Sequence, residues 1–126
     1  MERVSFTQEF IFRASPSILY QFLTTPNCLI RWFCDKVDIT KEIYTFSWDG
    51  ADEIAELIED VENERVRFEW EEAEDDDEYL EFQISRSPVT GETILKITDF
   101  CDEDEVEDQM QLWDSQMKQL RQETGG

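Results

Sequence analysis

Apolar residues first recur two positions apart: Phe6, Phe10 and Phe12 alternate with Ser5, Thr7, Glu9 and Arg13. A period of two places one face in a core and the other in water, so the chain opens with a half-buried strand. Ser15-Pro16 and Thr25-Pro26 follow, each with a hydroxyl where a helix N-cap belongs and a proline at the first helical position. There the fixed φ of proline suits the helix and its missing N–H costs nothing, so both pairs predict helix starts. The first helix carries Ile18, Leu19, Phe22 and Leu23, and the second, barely two turns, carries Leu29, Ile30 and Phe33. Helices this short are marginal alone and need a larger surface to dock on.

Alternation returns after Asp35: Val37 and Ile39, then Tyr44, Phe46 and Trp48, with Asp49-Gly50 as a turn. Val66, Phe68 and Trp70, then Leu80, Phe82 and Ile84, mark two more strands. "SPVTG" at 87–91 reads as a hairpin loop, and 92–101 as a last strand with two partly apolar faces. Between Trp48 and Val66 the pattern divides. Ile54, Leu57, Ile58 and Val61 fit a helical stripe, while Ala55, Leu57 and Val61 fit one strand face. A final helix is plain from Val106, Met110, Trp113, Met117 and Leu120, with Asp104, Glu105, Glu107 and Asp108 near its start and Lys118 and Arg121 near its end, as the helix dipole favours.

Length and charge narrow the possibilities. The 126 residues suffice for one domain, and nine Phe, four Trp and three Tyr predict an aromatic core. Thirty-two acids against 11 bases leave a net charge of −21, which disfavours nucleic acid and anionic membrane as partners. Residues 49–82 hold 17 acids against Arg65 and Arg67, enough for a negative outer face on adjacent strands; solubility explains such a face without a partner, and a basic protein is the partner it would suit. The start of the chain lacks the apolar region of an export signal, and no apolar run reaches the roughly 18 residues of a membrane span. Cys28, Cys34 and Cys101 are odd in number and lack CxxC spacing, so they read as reduced thiols of a cytoplasmic protein.

The absence of His closes imidazole-activated nucleophiles and His-ligated zinc, and four scattered Gly leave no phosphate-cradling loop. No catalytic residue, metal ligand or cofactor is expected. Asp75, Asp76 and Asp77, or Asp102 to Glu105, lack the spacing of a calcium loop and read as solvated charge, as does "EEAEDDDE" at 71–78.

The order of strand, two small helices, antiparallel strands and a long last helix, with "ASPSILYQFLTTPNCLIRWF" at 14–33, "FSWDGADEIAELIEDVENERVRFEW" at 46–70, "TGETILKITDF" at 90–100 and "LWDSQMKQL" at 112–120, resembles START-like domains, the SRPBCC group. More narrowly it is similar to the branch related to the activator of the ninety-kilodalton heat-shock chaperone ATPase. The resemblance implies one α+β helix-grip domain over residues 1–126, with a curved antiparallel sheet, two short helices after the first strand and a long C-terminal helix across the sheet. It also makes residues 51–62 a strand. A cavity between sheet and last helix is implied, holding an apolar, lipid-like small molecule. Trp32, Phe46, Trp48, Phe68, Trp70, Phe82, Met110, Trp113 and Met117 would face that interior, either filling it or binding the ligand. Non-catalytic binding is the function expected; the alternatives are a protein-interaction module acting as a chaperone co-factor and a cyclase-like enzyme.

Overall fold

The computed structural model describes residues 2–73, 75 and 77–126; Glu74 and Asp76 of the acidic run, and Met1, lie outside the described residues. Strand β1 (Arg3–Phe12) leads into helices α1 (Pro16–Thr24) and α2 (Pro26–Leu29). Six strands follow: β2 (Lys36–Thr40), β3 (Ile43–Trp48), β4 (Ala51–Val61), β5 (Arg65–Trp70), β6 (Leu80–Arg86) and β7 (Thr93–Asp102). A 3-10 turn (Glu103–Glu105) then enters helix α3 (Val106–Glu123). All seven strands form one curved antiparallel sheet in the order β1-β7-β6-β5-β4-β3-β2, and the helices cover one face of it: the helix-grip α+β architecture.

Local chemistry sets the turns. Ser15 Oγ accepts from the Ile18 amide at 3.3 Å and caps α1, whereas Thr25 starts α2 with no side-chain cap. Asp49 and Gly50 adopt φ of 50° and 82°, the pair of positive values that a two-residue hairpin between β3 and β4 requires. Helix α2 is one turn, shorter than the pattern predicts, and the chain continues as an irregular turn in which the amides of Trp32, Phe33 and Cys34 all donate to Leu29 O, at 3.3, 2.9 and 3.3 Å. That rotation turns Trp32 inward, its indole N–H bound to Phe22 O at 2.9 Å, and leaves Ile30 46% exposed rather than in the apolar stripe.

Residues 51–61 are a strand, and a bulge between Leu57 and Glu59 explains their misleading periodicity. The extra residue shifts the alternation, so Ala55 and Leu57 share the inner face with Trp70 and Phe68, while Val61 lies opposite Arg65 on the outer face. In β7 the register places Thr93, Leu95, Ile97, Asp99 and Cys101 on the inner face, beside Phe12, Phe10, Gln8, Phe6 and Val4 of β1. The outer face is less uniformly negative than composition suggests: Arg65 pairs with Glu59 at 3.1 Å and Arg67 with Glu81 at 2.5 Å.

The core lies under the C-terminal half of α3 and under α1. Phe12, Leu19, Leu23, Leu95, Ile97, Met117 and Leu120 are all at most 1% exposed. Arg121 fastens this end, donating to Ile11 O at 3.1 Å.

Candidate functional site

The inner face is not covered throughout. Strand β5 pairs with β6 only between Arg65↔Gln83 and Phe68↔Leu80, and its last residues, Glu69 and Trp70, pair with β4 alone. The first half of α3, with Val106 and Met110 only half-buried, lies across that gap. Between them opens a cleft of about 630 Å³.

Phe33 forms the centre of its aromatic wall. The ring stacks on Trp113 (centroids 6.3 Å apart, planes at 17°) and meets Trp48 edge-on at 5.3 Å. Trp48 is itself fixed by its indole N–H, which donates to Phe33 O at 2.6 Å, and Trp70 stands 6.4 Å from it, tilted by 51°. Leu80, Tyr79, Phe100 and Leu112 complete the apolar lining. Nine of the 19 described lining residues carry charged or amide side chains, so the cleft joins an aromatic wall to a strongly polar remainder.

Two polar groups are built into the inner end. Asp99 accepts from the Trp113 indole at 3.0 Å and from the Phe100 amide at 2.8 Å. Burial raises its carboxyl above the ordinary value, and the two donors oppose that rise. Arg3 is held by Glu78 at 2.6 Å and by Asp102 at 3.2 Å. At the rim stand Asp52, Glu53, Glu71 and Glu72, all exposed.

Of the nine expected residues, the cleft brings together Trp48, Trp70 and Trp113. Phe46, Phe68, Phe82, Trp32 and Met117 are at most 7% exposed and lie in the packed core, while Met110 is half-buried against that core; none of the six lines the cleft. The pattern reading missed Phe33, Leu80 and Asp99. For Asp99 the signal was present, one acid in the inward register of Leu95, Ile97 and Cys101; for Phe33 it was hidden by the irregular turn after α2.

Elsewhere, one carboxylate oxygen each from Asp102, Asp104 and Glu105 lie within 4.8 Å of one another, an exposed group that could take a cation. Cys28, Cys34 and Cys101 are free, and burial pushes the Cys34 thiol up to about 11 and raises that of Cys101. No helix among the described residues is long and apolar enough to cross a membrane.

A family model described as a START-like superfamily domain matches residues 1–126. The Bacteroides fragilis protein BfR322, known from a solution structure, is 34% identical, with 100% of this chain and 94% of that one covered and a TM-score of 0.70. The Aha1 dimer from Colwellia psychrerythraea superposes with a TM-score of 0.81 at 18% identity, over 96% of each chain. Protein MLL2253 from Mesorhizobium loti gives 0.77 at 20% identity, over 94% and 95%. Among curated proteins none matches.

Proposed function

The chain belongs to the START-like superfamily, and from that premise we propose that it is a non-catalytic domain that binds an apolar small molecule in the cleft between the sheet and α3. The observation that carries this reading is the aromatic wall of Phe33, Trp48, Trp70 and Trp113 facing about 630 Å³ of unfilled space. Phe33 and Trp113 are buried and form the floor of the wall, whereas Trp48 and Trp70 stand half-buried, and a ligand that covers those two rings gains the free energy of burying their surface. Non-catalytic binding is supported by the state of the inner polar groups: Asp99 is spent on two donors and Arg3 on two carboxylates, a bracing arrangement rather than a poised acid and base.

A second reading, a protein-interaction module of the chaperone co-factor kind, draws on the net charge of −21 and on the likeness to a protein solved as the Aha1 dimer. Its partner would be basic, and the association would weaken as salt rises. Native mass spectrometry of the protein gently purified from its own source separates the two. A retained small molecule, lost from Trp70→Ala, supports the cleft; a stoichiometric protein with no small molecule rejects it.

A further inference from the structure

Resting on the cleft reading, we propose that the ligand is a cation: an amphipathic amine whose apolar body lies on the tryptophans and whose ammonium group sits among the carboxylates at the rim. The lining is lopsided in charge. Among the described residues, six acids, Asp52, Glu53, Glu71, Glu72, Glu78 and Asp99, line the cleft against one base, Arg3. That base is committed to Glu78 and Asp102, so the inner end offers an anion little attraction. At the rim, Glu53, Glu71 and Glu72 take part in no ion pair among the described residues.

The placement is set by the fold. Glu53 lies opposite Phe46 in the β3–β4 register, and so belongs to the inner face rather than the outer one. Glu71 and Glu72 directly follow Trp70 where β5 leaves the sheet. Two indoles with centroids 6.4 Å apart and planes tilted by 51° both line the cleft, and tryptophan is the ring that best attracts a cation. Fatty acids and acidic lipids, which place a negative charge at one end of an apolar body, would carry that charge into this field at a penalty. A neutral molecule would fit the aromatic wall and leave the rim unused.

Three soluble probes with one naphthalene body separate the terms: 1-naphthylmethylamine, 1-naphthylmethanol and 1-naphthylacetate, titrated by calorimetry into the full chain at physiological salt. The amine should bind about tenfold more tightly than the alcohol, or ~1.4 kcal/mol, and the carboxylate more weakly than either. Glu53→Gln combined with Glu72→Gln should remove most of the amine's advantage and leave the alcohol unchanged. Glu62→Gln with Glu64→Gln removes the same charge at the opposite end of β4 and should leave the advantage intact. If the alcohol binds and the amine is no tighter, the cation inference fails while the cleft reading stands. If both double variants weaken the amine equally, the preference belongs to the overall charge and the inference again fails. If none of the three probes binds, the cleft reading falls, and the inference with it.

Discussion

The two ends of the inner face are built from the same residue types and differ in what lies on them. At one end Phe12, Leu19, Leu23, Met117 and Leu120 interlock with almost no exposure, because α1 and the second half of α3 both press on the sheet there. At the other end Trp48 and Trp70 stand half-buried beside Leu112, itself 50% exposed, because the first half of α3 lies across the cleft without filling it. Burial of large rings is therefore no guide to function in this chain; what matters is whether an element of the same chain covers them. The packed end supplies stability, and the open end is free to spend its apolar surface on something else.

That contrast can be broken most forcefully by Phe12→Ala. Its ring is 1% exposed, with Arg121 stacked 5.2 Å from its centroid, so the substitution should cost about 3–5 kcal/mol in urea denaturation. A loss below about 1 kcal/mol would mean that this end is not tightly packed.

The boundary between the ends is Trp113, which touches Phe33 and Phe82 and donates to Asp99. Trp113→Phe keeps a ring but takes one donor from a buried carboxylate, at a cost of about 1–3 kcal/mol. The cost should depend on pH. Burial already raises Asp99 above 3.8, so its contribution to stability is whole below that value and is lost as pH rises through the raised one. Losing the indole donor raises it further, and Trp113→Phe should thus be milder in acid than at neutral pH. Asp99→Asn, which does not ionise, should gain on the parent as pH climbs across the same window; stability curves that stay parallel would show Asp99 to be unburdened.

At the open end Trp70→Ala should cost only about 1–2 kcal/mol, since the ring is half-buried rather than enclosed. A core-sized loss there would close the cleft as a distinct region. The smallest effect concerns the thiols. Cys34 and Cys101 are buried with raised pKa values, so in the native protein at pH 8 a thiol reagent should label half-buried Cys28 well before either. Equal labelling of all three would mean that the interior around Cys34 and Cys101 opens readily.

Much of this comparison can be read from residue order, though not all of it. Period-two alternation locates β1, β3, β5 and β6, and the two hydroxyl-proline pairs locate α1 and α2, because those signals are local. The bulge in β4 defeats the same method: one extra residue converts a strand's alternation into something helix-like, and only the resemblance to START-like domains assigns that segment correctly. Ile30 departs from the expected apolar stripe because the chain after α2 is not a regular helix, while Trp32 is buried. The cleft itself depends on where β5 stops pairing with β6, a long-range property that no neighbouring residues encode. Hence the reading nominates nine inward residues as a set, and the cleft draws Trp48, Trp70 and Trp113 from it while adding Phe33, Leu80 and Asp99.

The four tryptophans allow the central claim, an open and binding-competent end beside a packed one, to be tested in one experiment. Each indole N–H gives its own signal in a nitrogen–proton correlation spectrum; Trp32 reports on the packed interior through its bond to Phe22 O, and Trp48, Trp70 and Trp113 report on the cleft. Titration with 1-naphthylmethanol should move the three cleft signals along one saturable curve while the Trp32 signal stays in place. Three unmoved cleft signals, or a Trp32 signal that moves with them in equal measure, would contradict the account.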